Sequence, residues 1–358
     1  MKDEQTAGQH QYACSSCGAS LEFSPGSPSL ICPYCGAKTD IAVAASGKLD
    51  YLGYSQQQHT PVAELPAFTL SCRNCGSSQT TTAIAGRCQS CRAALVVTDD
   101  LGGRLKAPDG VVPFVIDKTK AASCFRDWSK SRWFAPNAFK KVGTTESMQG
   151  GYLPHWGFDD KTTTDYTGER GEHYYTTETY TENGQTRTRQ VQHTAWYPAS
   201  GRVAREFVDV LAAGVTVPDP DTLDKLGPWS TAGAAGYESE YLAGFACPRY
   251  SVMADAGFGQ AKQEMARVIE GDCRADIGGD EQRVSSMTTY DADLLFRLLL
   301  LPLWFATYVF AGATYHVYVN ANTGKVIGDR PWSWIKITLA VIAALVVVGT
   351  GIFLYQSR

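Results

Sequence analysis

The sequence predicts an α+β protein. A mainly antiparallel, β-rich domain with a few helices follows two small cysteine-rich ribbons and precedes one C-terminal transmembrane helix. Eight of the eleven cysteines lie in four C-x-x-C pairs within the first 91 residues, alternating apolar and polar residues fill the middle of the chain, and an uncharged apolar run ends it. With 44% hydrophobic and 19% charged residues, the 358-residue chain is typical of a folded protein of two or three domains.

The paired cysteines form two repeats of one arrangement. Fourteen residues separate the two pairs of the first repeat, and twelve separate those of the second. A C-x-x-C turn directs both thiolates at one ion, and two such turns complete a tetrahedral zinc site with four cysteine ligands. A redox dithiol would more often occur once, between a strand and a helix. The predicted zinc ligands are Cys14, Cys17, Cys32 and Cys35 in the first site and Cys72, Cys75, Cys88 and Cys91 in the second.

Both zinc sites are expected to be structural, with no free coordination position. Every ligand is a cysteine, whereas a catalytic zinc usually keeps one position open. The predicted cofactor is therefore Zn²⁺ at two structural sites, with no catalytic residue. His10 and His59 lie nearby but outside the ligand spacing. A glycine that tolerates positive φ follows three of the four pairs, whereas Arg92 follows the last.

Charge helps to choose a class of partner for the ribbons. Residues 1–100 contain six Lys or Arg and eight Asp or Glu, and the whole chain has a net charge of −4. Because a nucleic-acid footprint is basic, the ribbons are expected to contact proteins rather than DNA or RNA. No small-molecule substrate is predicted.

The chain is expected to divide into five parts, which differ in composition. The cysteine-rich ribbons flank a polar segment that contains three consecutive glutamines. The predicted parts are zinc ribbon 1 at 1–40, a linker at 41–67, zinc ribbon 2 at 68–100, a β-rich α+β domain at 101–330 and a transmembrane helix at 335–355.

The first half of the β-rich domain is expected to combine one helix with a meander. A short strand is predicted at 111–116, and a helix at 118–131 has Asp117 as its N-cap. Alternation over about 148–210 predicts an antiparallel meander with a hairpin turn at Asn183-Gly184.

The second half is expected to begin with a helix at 259–270, with Gly271 as its C-cap residue. Residues 273–280 are predicted to turn into a strand at about 282–290. Residues 294–310 are apolar enough to suggest a second span, but Arg297 and Pro302 interrupt them. Because a bilayer requires a longer uncharged run, residues 303–329 are assigned to a final β-meander rather than a membrane hairpin.

Several polar residues of the meander are candidates for a metal site or for acid and base roles. We expect instead that they are polar residues on strand faces without a catalytic or metal-binding role. Cys124, Cys247 and Cys273 are expected to be small core residues rather than nucleophiles. The candidate polar residues are His155, Asp159, Asp160, His173 and His193.

Residues 337–355 are predicted to span a membrane. They contain no charge, eleven of the nineteen are Leu, Ile, Val or Phe, and a helix of that length is about 28 Å long, close to the hydrocarbon core of a bilayer. Three Lys or Arg precede the run and only Arg358 follows it, which favours a cytoplasmic location for the bulk of the chain. Trp332 and Trp334 lie where an interfacial aromatic belt is expected. The large domain is expected to lie against the membrane surface.

Nearly the whole chain resembles a group of bacterial membrane-anchored proteins with two zinc ribbons of the transcription-factor-IIB type. The last two of six segments are the most specific. The resemblance implies encoding beside SPFH and phage-shock-protein-A-like proteins and a role in placing such partners at the membrane. The segments are VVPFVID (111–117), YLPHWGFD (152–159), DYTGERG (165–171), WYPASGRV (196–203), ARVIEGDCRADIGGDEQR (266–283) and the run from LLPLWFATYVF to RPWSW (300–334).

Three functions follow as hypotheses. The leading one is a non-enzymatic, single-pass, tail-anchored adaptor or scaffold that recruits cytoplasmic proteins to the inner or plasma membrane. The alternative is a membrane-tethered nucleic-acid-binding factor linked to transcription or replication. A third is an enzyme that uses the His and Asp residues of 155–193. Some relatives carry names borrowed from the primosomal helicase, but no G-x-x-x-x-G-K-[ST] loop is present, so helicase activity is rejected.

Overall fold

The computed structural model describes residues 9–10, 12–57, 59–61, 65, 67–97, 105–137, 148–182 and 185–356. Its mostly antiparallel sheets and helices confirm the α+β class. The helices are α1 (Tyr51–Ser55), α2 (Lys118–Ser131), α3 (Pro220–Leu226), α4 (Ala254–Ile277) and α5 (Trp334–Gln356). The strands of the ribbon region are β1 (Gln9–His10), β2 (Glu22–Phe23), β3 (Ser29–Ile31), β4 (Lys38–Asp40), β5 (Leu49–Asp50), β6 (Phe68–Ser71), β7 (Ser78–Thr81), β8 (Ala83–Arg87) and β9 (Ala94–Val97). The remaining strands are β10 (Gly110–Val111), β11 (Gln149–Glu182), β12 (Gln185–Ala213), β13 (Ala235–Gly236), β14 (Cys247–Pro248), β15 (Glu281–Phe310), β16 (Ala313–Asn320) and β17 (Val326–Gly328).

Three very long strands, β12, β11 and β15, lie side by side in the main sheet, whose order is β12-β11-β15-β10-β13. The meander predicted over 148–210 is one hairpin, because β11 pairs with β12 from His155 to Glu182. Its 34-residue strand β11 is about 110 Å long at roughly 3.3 Å per residue. Strand β15 covers the other edge of β11 only as far as Gly171. Beyond that residue the hairpin consists of β11 and β12 alone. The predicted turn residues, 183–184, lie outside the described residues.

The leucine-rich segment is a buried strand and not a second span. It belongs to β15, which pairs with β11 and β16, while β17 pairs with β16. Leu298, Leu299, Leu300 and Leu301 are almost completely buried. The expected final β-meander is therefore present, but its first strand begins at Glu281, well before the predicted start at 303. The separate strand predicted at 282–290 is the beginning of the same β15.

Helix α4 is twice as long as predicted. It begins at Ala254 and continues through Gly271, which does not end it, to Ile277. Its buried positions continue beyond Gly271 at a spacing of four residues, so the apolar stripe outweighs the intrinsic cost of one glycine. The helix ends at Gly278, which has a φ of +65°. The turn predicted over 273–280 was therefore wrong for 273–277, because these residues continue the apolar stripe of α4.

Helix α2 matches its prediction. It covers Lys118–Ser131, and the Asp117 carboxylate accepts a hydrogen bond from the Lys120 N–H at 2.7 Å. The strand predicted at 111–116 is shorter than expected, because only its first residue belongs to β10. Further on, the N–H groups of Val115 and Ile116 both donate to the carbonyl of Ala321, which is incompatible with a regular ladder.

The faces of the main sheet are covered by different elements. On one face, Phe296 and Leu298 of β15 pack with α1 and α4. Further along the same face, Leu300 and Trp304 pack with α2 and with residues of the cysteine-rich ribbons. On the opposite face, Leu303 packs with Leu223 of α3. The ribbons are therefore part of the core of the protein.

Gly257 allows α4 to approach the sheet closely. A Cβ atom at Gly257 would lie 2.7 Å from Cδ1 of the buried Trp156. We expect Gly257→Ala to destabilise the fold by about 1–3 kcal/mol, because the tight contact must open. Thermal unfolding of the full chain in detergent micelles, followed by tryptophan fluorescence, measures the effect.

Gly271 of the same helix provides the control. A Cβ atom there meets nothing within 4 Å, so Gly271→Ala is expected to be neutral or to stabilise by up to about 1 kcal/mol. Equal melting temperatures for the two variants would contradict the assigned packing of α4 on Trp156.

Candidate metal centres

The four C-x-x-C turns have the same backbone geometry. In the first, the Cys14 N–H donates to the carbonyl of Ala19, and the Gly18 N–H donates back to the carbonyl of Cys14. The other three turns repeat both hydrogen bonds. The residue after the second cysteine has a positive φ in every case: +74° at Gly18 and Gly36, +75° at Gly76 and +65° at Arg92. Arg92, which stands where the other three turns have glycine, therefore adopts the glycine-like conformation despite its side chain.

The turns bring the eight predicted ligands together in two clusters of four. Within each cluster, the four sulfur atoms all lie within 4.8 Å of one another. Four sulfurs around one zinc, with bonds of about 2.3 Å, are about 3.8 Å apart, whereas a disulfide requires about 2.05 Å. The Sγ–Sγ separations include 3.5 Å (Cys14–Cys35) and 3.6 Å (Cys17–Cys32) in the first cluster, and 3.5 Å (Cys72–Cys91) and 3.7 Å (Cys75–Cys88) in the second.

These separations fit two metal ions with four sulfur ligands each. A closed set of four thiolates favours Zn²⁺, among other soft metals, and leaves no position for a substrate. A bound ion would supply a structural crosslink between the two turns of each ribbon. The first cysteine of every pair is buried, and in the first cluster the second cysteine of each pair is exposed. Each centre therefore lies at the boundary between the core and solvent.

Local hydrogen bonds favour the thiolate form that binds metal. The N–H groups of Ser16 and Cys17 lower the pKa of the Cys14 thiol to about 6. In the second cluster, the Ser77 hydroxyl lies 3.2 Å from Cys88 Sγ and, together with the Cys91 N–H, lowers the pKa of Cys88 to about 6. Thiolates are the metal ligands, so these hydrogen bonds favour metal binding at Cys14 and Cys88. At Cys17 and Cys35, a backbone N–H favours the thiolate, but contacts with neighbouring cysteines outweigh it and raise the pKa of the thiol.

The two ribbons are tied to each other. Strand β1, which precedes the first ribbon, pairs with β9 of the second. Arg87 of the second ribbon makes a bidentate ion pair with Glu22 of the first, at 2.5 and 2.9 Å. The ribbons therefore present one joint surface.

The ribbons are also tied to the main body. Strand β8 of the second ribbon pairs with β14, where Ala85 lies opposite Cys247. The Phe23 N–H of the first ribbon donates to the carbonyl of Ala243. The segment expected to be a linker, 41–67, contributes β5, which pairs with β15, and α1, whose Tyr51 is buried. These contacts hold the ribbons in a defined orientation on the body.

The candidate polar residues of the long hairpin do not form one site. His155 and His173 are eighteen residues apart on β11, which is about 60 Å at roughly 3.3 Å per residue. His173 lies opposite Thr194, and His193 lies opposite Tyr174, so the side chains of these two histidines point to opposite faces of the hairpin.

Each of these residues has its own environment. Burial lowers the pKa of His155 to about 4, and its Nδ1 lies 3.1 Å from the carbonyl of Leu153. Asp159 pairs with Lys48 at 2.5 Å. Burial and then the charge of Asp291 raise the pKa of Asp160 to about 6. Among the described residues, the two cysteine clusters are the only groups of three or more His, Cys, Asp or Glu close enough to hold a metal.

The three isolated cysteines are not part of these clusters. Cys247 and Cys273 are completely buried in the two large apolar cores, as expected, and Cys124 is half-buried at the edge of one of them. Sequence reasoning missed Tyr34, which lies between two ligands of the first centre and is 83% exposed. An aromatic residue inside a C-x-x-C turn was the available signal.

Helix α5 is long and apolar enough to cross a membrane, and it is the single such helix among the described residues. The stretch Trp334–Phe353 has a mean hydropathy of 2.3 and is not buried against the rest of the protein. Its first turn is fixed to the body, because Lys336 Nζ donates to the carbonyl of Ala135 at 2.8 Å and to Asn137 Oδ1 at 2.8 Å. These features support membrane association through α5.

One curated relative is similar to a large part of the chain. Over 242 residues, the chain is 26% identical to the uncharacterized protein YdjG of Bacillus subtilis (strain 168), an alignment that covers 67% of this chain and 68% of that protein. No protein-family model and no solved structure matches the chain. The comparison therefore adds a relative of similar sequence but no activity.

The two-centre arrangement predicts the effect of removing one ligand. We expect Cys72→Ser to lose one of two zinc equivalents, because a three-sulfur site no longer closes the second ribbon. Elemental analysis of the purified full chain measures the metal content. Cys124→Ser, outside both clusters, is expected to keep both equivalents. Retention of two equivalents by Cys72→Ser would contradict the model of two independent centres.

The left-handed conformation of Arg92 predicts a stabilising substitution. A non-glycine residue pays about 1–2 kcal/mol for this conformation, so Arg92→Gly is expected to stabilise the second ribbon by about 1 kcal/mol. Resistance of the bound metal to a chelator during urea unfolding measures the change.

The reverse change at the matching turn is the control. Gly76 has a φ of +75° and open space around its Cβ position, so Gly76→Arg tests strain without a clash. It is expected to destabilise the same ribbon by a similar amount. A stabilising Gly76→Arg, or a destabilising Arg92→Gly, would show that turn conformation does not limit stability here.

Proposed function

We propose that this protein is a membrane-anchored adaptor whose two metal ribbons hold a protein-binding surface in the cytoplasm. The observation that carries the proposal is the exposed position of Tyr34 on a rigidly held ribbon. This tyrosine is 83% exposed beside a metal centre whose ribbon is hydrogen-bonded to the body. Exposed aromatic residues on a rigid support are typical anchors of protein interfaces, because little conformational entropy is lost on binding.

The surface around the ribbons supports contacts with proteins. A hollow of about 730 Å³ lies between the first ribbon, the second ribbon and the start of α2. Its walls combine apolar residues with an acid of the first ribbon, two cations of the second and charged residues at the start of α2, as at a non-obligate protein interface. The residues that define it include Phe23, Pro33, Arg87, Arg92 and Lys118.

The partner and the orientation rest on further inferences from the sequence. The resemblance to membrane-anchored double zinc-ribbon proteins favours an SPFH- or phage-shock-protein-A-like partner. The basic residues before α5 favour a cytoplasmic location for the ribbons. Both centres are proposed to hold zinc as a structural ion, and the proposed protein has no catalytic role.

The proposed interface predicts the effect of removing Tyr34. Loss of a central aromatic anchor costs about 2 kcal/mol or more, so Tyr34→Ala is expected to weaken partner binding roughly 30-fold. The measurement is affinity capture from native membranes by the full chain, followed by titration of the purified partner. A point variant is sharper than deletion of residues 1–100, since the ribbons share the core of the body.

Ser16→Ala is the matched control, because Ser16 occupies the same position in the other turn of the same centre. It is expected to keep both the metal and the partner. Undiminished capture by Tyr34→Ala, with two metal equivalents present, would contradict this interface. Binding of the full chain to DNA or RNA that falls steeply with salt would favour the nucleic-acid alternative instead.

A further inference from the structure

The turn between β15 and β16 is unusually apolar. Its central residues are Ala311 and Gly312, both with positive φ, and Val309 beside them is 69% exposed. No Asp, Glu, Lys or Arg occurs between Arg297 and Lys325. Exposed hairpin turns are usually formed by polar residues, Gly and Pro. This hairpin end therefore presents an apolar tip without a neighbouring charge.

A hollow of about 550 Å³ separates this hairpin tip from the start of α5. Both of its walls lack charged side chains. One wall comes from the hairpin and the other from the segment that enters the helix. The lining residues are Phe310, Ala311, Ala313 and Tyr315 on the hairpin side and Pro331, Trp332, Trp334 and Ile337 on the helix side.

The hollow is continuous with the apolar surface of α5. Trp334 and Ile337 line the hollow and also belong to the stretch that is long enough to span a bilayer. The helix start cannot swing freely, because Ser333 N–H donates to the carbonyl of Phe134 and Lys336 Nζ donates to Ala135 and Asn137. The hairpin tip is thus held at the level where the helix would enter a membrane.

A third element, the segment that follows α2, contributes at the same place. Trp133 is 74% exposed, and its carbonyl accepts a hydrogen bond from Lys336 Nζ at 3.2 Å. Trp332 is also exposed, with the Arg330 guanidinium 4.3 Å from its ring centre. Tryptophan beside a cation is typical of the interfacial region, where rings lie at headgroup level and cations meet phosphates.

We propose that the β15–β16 tip, Trp133 and the first turn of α5 form a lipid-facing rim, and that acyl chains of the surrounding phospholipids fill its hollow. The inference rests on the proposed membrane anchoring through α5 and adds a second contact with the same leaflet. Lipid is favoured over a second copy or another protein because the hollow continues directly onto the lipid-exposed side of α5. The rim would fix the tilt of the body, and hence the direction in which the ribbons face.

The test places a tryptophan at the rim of the full chain. Val309→Trp adds a fluorophore at the hairpin tip, and Val208→Trp adds one at a matched valine of β12 that is 64% exposed. The two positions are far apart. Val208 lies beside Asp159, which pairs with Leu295 of β15, and Leu295 is about fourteen residues, or roughly 45 Å, from Val309 along that strand. Both variants are reconstituted in phosphatidylcholine–phosphatidylglycerol vesicles, with and without phosphatidylcholine brominated near the headgroup end of one acyl chain.

The expected result is loss of the added emission of Val309→Trp in brominated vesicles and no loss for Val208→Trp. Equal emission of Val309→Trp in both kinds of vesicle, with the protein retained after a carbonate wash, would overturn the rim but keep the anchor. Unquenched emission with crosslinks between copies would assign the hollow to a second copy. Release by carbonate would instead overturn the membrane anchoring on which the rim depends.

Discussion

Burial of the leucine-rich part of β15 is the constraint on which the rest of the structure depends. Four consecutive leucines, 298–301, are almost completely buried, so both faces and both edges of this strand must be covered. Strand β11 covers one edge and β10 the other. Helix α4 covers Leu298 and the ribbons cover Leu300 on one face. On the other face, Leu299 and Leu301 pack with Val112, Leu211 and Trp229. Each of these elements is too small or too apolar on one side to be stable alone, and each becomes stable by packing on this strand.

Arg297, the charged residue directly before the four leucines, is stabilised by an ion pair across the sheet. Arg297 is buried and makes a bidentate pair with Asp209 of the edge strand, which Lys48 also approaches at 3.2 Å. Burial opposes ionisation of Asp209, but the hydrogen bonds and charge of Arg297 more than offset it and hold the pKa of Asp209 below its usual range. A buried pair of this kind contributes little net stability yet penalises any register that separates its members. It therefore helps to specify how β12, β11 and β15 align.

The metal centres and the core of the body are interdependent. A ribbon of this size has too little apolar surface to fold by itself, so an ion held by four cysteines would provide the missing free energy. Once closed, the first ribbon contributes Phe23 and the buried Cys14 and Cys32 to the same core as Phe114 and Trp304. This shared core gives the exposed C-x-x-C turns a fixed orientation relative to α5. The proposed adaptor function would benefit from such rigidity, since fewer degrees of freedom are lost when a partner binds.

The sequence by itself determined the features that depend on local spacing. The two groups of four cysteines, the cap of α2 and the apolar length of α5 follow from residues close together in the chain, and the structure has each where the pattern placed it. Only the tertiary structure decided how far β15 and α4 extend, because the packing of Ile277 and its neighbours overrides the local signal of Gly271. It also decided that His155 and His173 lie far apart on one strand and that the ribbons pack on the body. These outcomes depend on contacts between residues distant in the chain, which no local pattern encodes.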